Sequence, residues 1–197
     1  MEFPDDPNAM CDKPMIYVYP TAEMGDTNVQ IKLDFQGTLT TTYPKYDVAN
    51  GWNIVASPDG TIKETSGSRE YYGLYWEGTP NKLFEFTEGN MVAGSDTAEF
   101  LETSLKTLGL TDKEAQEFIV YWLPKMEGNT YNFIQFQTSQ YTDIAKLNIN
   151  PAPDTLIRVF MTYRPYESIA SYKIQDISKL AVQRSGYTVV EWGGSMI

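Results

Sequence analysis

The chain has 197 residues, 42% of them hydrophobic and 14% aromatic, which suits one large domain or two small ones with real cores. Its 26 acidic side chains against 15 basic ones give a net charge of −11, which speaks against nucleic acid or an anionic membrane surface as partner, since both need basic residues. Histidine is absent and cysteine occurs once, which excludes a Ser-His-Asp triad, a Cys-His pair, an imidazole or thiolate metal cage and an internal disulfide.

Residues 1–14 are polar, contain three prolines and read as a leader or linker end. MEFPDDPNAM has no apolar segment of a secretion signal, so if the protein is exported its leader is expected to lie outside this sequence. MIYVYP (15–20) is a short β-prone run bracketed by Pro14 and Pro20, because proline cannot donate to a ladder. In NVQIKLDFQG, Val29, Ile31, Leu33 and Phe35 alternate with polar residues, the pattern of a half-buried strand. TLTTTYP (38–44) follows as a β-rich run. WNIVASPDGTIKET (52–65) reads as a hairpin turning at Pro58-Asp59-Gly60, and GSREYYGLYWEG (67–78) as an aromatic strand. Short strands at this spacing predict an antiparallel, sandwich-like β half over 15–80.

The period changes after Gly94. Ser95-Asp96 can cap a helix whose stripe is Ala98, Leu101, Leu105 and Leu108, stopping at Gly109. Thr111 and Glu114 have the spacing of a capping box for a second helix, limited by Pro124. Strands are predicted at 132–137, 155–165 and 186–194, with helical turns near 139–147 and 176–182. The fold class is therefore α+β: a β half packed on a second half, 81–197, in which two helices lie on a three- or four-stranded sheet, the two packed as one unit. The segment 79–94 is too apolar, with Leu83, Phe84, Phe86, Met91 and Val92, to be a free tether. The longest apolar run, FIVYWL (118–123), falls well short of the roughly 20 residues of a bilayer span.

The phrases CDKPMIYVYP, GWNIVASPDGT, YYGLYWEG, FIVYWLPKM, PDTLIRVFM and GYTVVEWGG together resemble a family of largely uncharacterised bacterial proteins, with more distant fungal relatives, that open on Cys-x-Lys-Pro-hydrophobic-Ile-Tyr-x-Tyr-Pro. The resemblance runs from Cys11 to Gly194. It implies an extracytoplasmic or envelope location and that Cys11 belongs to the family phrase; it carries no activity.

Trp76-Glu77-Gly78 and Glu191-Trp192-Gly193 each end a predicted strand with a carboxylate beside an indole. A neighbouring Trp can raise a Glu pKa by excluding water and can stack on a sugar. Glu77 and Glu191 could thus serve as acid and base on a glycosidic bond if about 5–9 Å apart; the plainer reading is two core tryptophans with glutamates that are exposed or bonded to backbone. Glu117 and Tyr121 share a helix face and are either cleft lining or the helix's buried side. Arg158 interrupts an apolar strand. On its side of the strand it needs a carboxylate, with Glu77, Glu117 and Glu191 as the candidates, and either forms a structural ion pair or clamps a substrate. The expectation is that Glu77, Arg158 and Glu191 gather between sheet and helices with Trp76 and Trp192 beside them. Cys11 has no histidine to activate it, and Lys13 is a weak substitute. Asp5, Asp6 and Asp12 form an acidic cluster, but no calcium-loop pattern accompanies it and neither metal nor cofactor is expected. Two functions remain open: an extracytoplasmic binding or interaction module for a glycan or an envelope protein, or a histidine-free, carboxylate-dependent hydrolase of polysaccharide or peptide. A purely structural domain of a larger surface assembly is the third reading. The oligomeric state is not legible.

Overall fold

The computed structural model describes residues 10–197. Asp5 and Asp6, and most of the expected leader, lie outside the described residues. The rest of that segment is not linker: the first strand, β1, is Asp12–Tyr19. It is followed by β2 (Thr27–Phe35), β3 (Gly37–Tyr43), β4 (Trp52–Ala56), β5 (Ile62–Glu64), β6 (Glu70–Tyr71), β7 (Leu74–Pro80) and β8 (Asn90–Ala93). Helices α1 (Thr97–Thr107) and α2 (Asp112–Met126) come next. The chain ends with β9 (Tyr131–Gln137), α3 (Ser139–Ile144), β10 (Ala145–Asn150), β11 (Thr155–Tyr166) and β12 (Thr188–Met196).

The fold is α+β with two sandwiched sheets. One sheet has seven strands in the order β3-β7-β1-β12-β11-β9-β8, and the other has five, β10-β2-β4-β5-β6. All pairings are antiparallel except β11 with β12. Neither sheet respects the expected division near residue 80. The small sheet predicted for the second half is the middle and one side of the seven-stranded sheet, completed by β1, β7 and β3, while β10 crosses to the five-stranded one.

Alternation along the seven-stranded sheet assigns each side chain to one of two cores. On one face Ile16, Val18, Leu74, Trp76, Phe160 and Val189 meet Val29, Ile31, Leu33, Trp52, Ile54 and Ile62 of the facing sheet. On the other face Met15, Tyr17, Ile134, Phe136, Ile157, Val159, Met161, Val190 and Trp192 meet Leu101, Leu105, Phe118, Trp122 and Met126 of α1 and α2. The result is three layers, helices on sheet on sheet. β1, β11 and β12 are buried on both faces, which is why their sequences read as near-continuous apolar runs. Gly194 of β12 admits the helix layer: a Cβ there would come within 2.6 Å of the Trp122 ring.

The helix ends follow their residues closely. Thr111 accepts from the Glu114 amide while Glu114 accepts from the Thr111 amide, a complete capping box. Glu114 also holds Arg184 at 2.7 Å. Asp96 precedes α1 without a side-chain cap bond. Helix α2 runs through Pro124 to Met126 instead of stopping before it, since a proline in the last turn forfeits only one intrahelical bond. No helix among the described residues is long and apolar enough to cross a membrane.

Charge lies inside the inter-sheet layer. Arg158 of β11 and Glu191 of β12 are register partners in the parallel pair, on the face turned to the second sheet. Nε and Nη2 of Arg158 reach the same Glu191 oxygen, Oε2, at 2.8 and 2.6 Å. The indole Nε1–H of Trp76 donates to Oε1 at 3.0 Å, so both carboxylate oxygens are engaged. The guanidinium lies 4.6 Å from the Tyr141 ring centroid, and that ring stacks on Phe160 at 4.1 Å. With 9% of the Arg158 side chain and none of Glu191 exposed, neither charge has water to fall back on.

Two outcomes follow from this architecture. Glu191→Leu should destabilise the fold by about 3–5 kcal/mol in urea unfolding by stranding the arginine, while Arg158→Leu with Glu191→Leu should recover most of that loss. Because β12 lies between β1 and β11, a fragment of residues 81–197 should lack cooperative unfolding, and adding a 10–80 fragment in trans should restore it. Cooperative melting of either fragment alone would contradict the shared-sheet architecture.

Candidate functional site

The expected cluster divides between the two faces of the central sheet. Arg158, Glu191 and Trp76 come together as anticipated, but between the sheets and not between sheet and helices. Trp192 points the other way and is wholly buried: its Nε1–H donates to the Tyr17 hydroxyl at 3.1 Å, and Tyr17 donates to Glu117 Oε2 at 2.5 Å. Burial, and then the Glu117 carboxylate, hold the Tyr17 phenol well above its usual range. Glu77 also leaves the cluster. It follows Trp76 on β7, so its side chain projects to the opposite face from Glu191. The two glutamates therefore do not converge on one bond. The outer edge of Arg158 borders a cavity of about 370 Å³ with mostly apolar walls, but its guanidinium is committed to Glu191.

A concave site does form around Glu77 and Tyr121. The helices cover β9, β11, β12 and part of β1, and on that face β7 and β3 extend beyond them. Between α2 and the β6–β7 segment lies a half-open cleft of about 430 Å³. Its walls carry five tyrosines: Tyr43 from the end of β3, Tyr71 and Tyr72 from the β6 turn, Tyr75 from β7 and Tyr121 from α2. Gly73 lets the β6–β7 segment lie close against β1, since a Cβ there would meet Met15 Cε at 2.9 Å. Tyr43 and Tyr71 pack edge to face at 5.5 Å, and Tyr72 reaches 6.4 Å from Tyr17. Of the residues singled out in the sequence, Glu77 and Tyr121 line this cleft. Trp76, Trp192 and Glu191 are core, and Glu117 orients Tyr17.

The polar end of the cleft is made by Lys13 and Glu77. Lys13 sits at a bulge: Asp12 pairs with Gly194 and Met15 with Trp192, so β1 carries one more residue than its partner. Its φ is +51°, the one positive value at a non-glycine among the described residues, in a region that costs an L-residue about 1–3 kcal/mol. Its amide donates weakly to Glu77 Oε1 at 3.4 Å. Its ammonium stands 5.0 Å from the Tyr121 ring centroid, and Lys125 approaches the same ring at 3.7 Å. Burial raises the Asp12 carboxyl, with Lys125 pulling it down and Glu77 pushing it up again. Burial, followed by the charges of Asp12 and Glu77, pushes the Tyr121 phenol up to about 12, and Tyr75 is raised by burial and by Glu77. Tyr75 and Tyr121 are therefore neutral phenols at physiological pH. Cys11, two residues before Lys13, is fully buried in the inter-sheet core, where burial above all keeps it a thiol. Among the described residues, no group of three or more acidic or cysteine side chains converges as a metal site.

The signal for the cleft was present in EYYGLYWEG. Alternation from Trp76 puts Tyr75 and Glu77 together on the other face, and the turn adds Tyr72. Nothing local marks Lys13, because its placement depends on a bulge against a strand some 180 residues away.

No family model and no solved structure matches the chain. It is similar to an uncharacterised protein in the bglA 3′ region of Butyrivibrio fibrisolvens, 36% identical over 66 residues, which are 34% of this chain. The chain spans 65% of that relative's length.

Proposed function

We propose that the protein is a glycan-binding module acting outside the cytoplasm, with the tyrosine cleft as its site. The observation that carries the reading is the convergence of five tyrosine rings on one half-open cleft with an ammonium and a carboxylate at one end. Aromatic faces stack on the C–H faces of sugars, and phenols, Lys13 and Glu77 supply donors and acceptors for hydroxyls. The opposite placement of Glu77 and Glu191 supports binding over hydrolysis by that pair. The extracytoplasmic location rests on the family resemblance, and fractionation of the native host tests it: a purely cytosolic protein would refute it.

Tyr72 is 57% exposed, so its truncation touches little of the core. Tyr72→Ala should weaken oligosaccharide binding about tenfold by calorimetry, equivalent to about 1.4 kcal/mol, while changing unfolding stability by no more than about 0.5 kcal/mol. Unchanged binding in this variant would move the site away from the cleft. Wild-type protein that binds no oligosaccharide would favour a purely structural or protein-binding domain.

A further inference from the structure

Lys13 is held in place by residues far from it in sequence. It precedes proline, a position pushed toward extended backbone, yet has φ of +51°. The ladder to β12 maintains this conformation, and Gly193 makes room for it: a Cβ at Gly193 would lie 3.0 Å from Pro14. The bulge brings Lys13 to the cleft, with its amide on Glu77 Oε1 and its ammonium 5.0 Å from the Tyr121 ring centroid. Among the described residues neither Lys13 nor Lys125 forms an ion pair, and neither does Glu77. The charges around Tyr121 (Lys13, Lys125, Asp12 and Glu77) nevertheless sum to zero. Glu70, at the other wall, is neutralised by Lys63 at 3.1 Å.

A cleft whose polar end carries one ammonium and one carboxylate, neither of them in an ion pair, is matched to an uncharged ligand. With both charges at one end, an acidic sugar that pairs with Lys13 also meets Glu77 on a chain of net charge −11, and an amino sugar that pairs with Glu77 also meets Lys13. Building on the glycan reading, we infer that Lys13 and Glu77 together read two adjacent hydroxyls of an uncharged sugar, and that the bulge in β1 exists to aim the Lys13 donor. Lys13 is thus a specificity-determining residue. The strain it carries belongs to the site, not to the packing of the strand.

Calorimetry with the whole chain tests this, using cello-, xylo- and mannopentaose as neutral probes, with oligogalacturonate and chitosan oligomers as the charged ones. At least one neutral pentasaccharide should bind more tightly than either charged oligomer. Lys13→Met and Glu77→Gln should each weaken it about tenfold or more, as for loss of a hydrogen bond to a charged group. The double variant should be little worse than either single one, because both groups hold the same pair of hydroxyls. Lys13→Gly separates strain from chemistry: glycine accepts this φ, so the variant should melt at a higher temperature than wild type and still bind poorly. Tighter binding of a charged oligomer, or wild-type affinity in Lys13→Met while Tyr72→Ala has lost it, overturns the role of Lys13 and leaves the glycan cleft standing. Binding of none of the probes by wild-type protein overturns both.

Discussion

The buried carboxylate of Glu191 is the constraint from which most of this structure follows. A carboxylate wholly removed from water is tolerable only with its charge balanced and its oxygens engaged. Here Arg158 supplies the charge from β11 and Trp76 the second hydrogen bond from β7, with Tyr141 of α3 against the guanidinium. These partners belong to separate elements, so satisfying Glu191 fixes the parallel β11–β12 register and places β7 one strand beyond β1. A one-residue slip of β12 would carry the carboxylate into the helix-facing core and bring Trp192 between the sheets.

Once that register is set, alternation distributes the layers. Val190 and Trp192 turn to the helices because Glu191 turns away from them, and Phe118 packs edge to face on Trp192 at 5.4 Å. The helix layer is then centred over β11 and β12, so β7 and β3 extend past its edge. The tyrosine cleft is the space left at that edge. Long-range closure is the cost: Trp192 bonds to Tyr17 across 175 residues, so the central ladder cannot form until almost the whole chain is available.

Local chemistry was legible in the sequence where it acts locally. The alternation of Val29 to Phe35, the capping box of Thr111 and Glu114 and the hairpin at Pro58-Asp59-Gly60 all appear where their residue types place them. The need of Arg158 for a carboxylate was also legible, and Glu191 meets it. The remainder of the expected cluster failed for a reason that period-two geometry already contains. Trp76 and Glu77 are neighbours on one strand, as are Glu191 and Trp192, so one member of each pair must leave any given face. Sheet membership was beyond reach because no residue of β1 or β10 names its partner strand. The short β8, only four residues long, offered too little pattern to separate it from loop.

The two ends of the family-like fingerprint turn out to be two sides of one ladder. Cys11-Asp12-Lys13-Pro14 lies against Trp192-Gly193-Gly194, and each residue has a different physical task. Cys11 fills the inter-sheet core and pairs by backbone with Gly78 at 2.9 Å, Asp12 and Lys13 turn their charges toward Tyr121, and Pro14 occupies the room that Gly193 leaves. The lone cysteine thus stands beside Lys13 as a core residue next to a cleft residue, not as a nucleophile next to its base. Because the β1–β12 ladder holds both the left-handed Lys13 and the Glu191 carboxylate, the backbone at the cleft's polar end is tied to the central register. A cleft built this way is pre-formed, so in the proposed binding role its affinity would not have to cover the cost of ordering it.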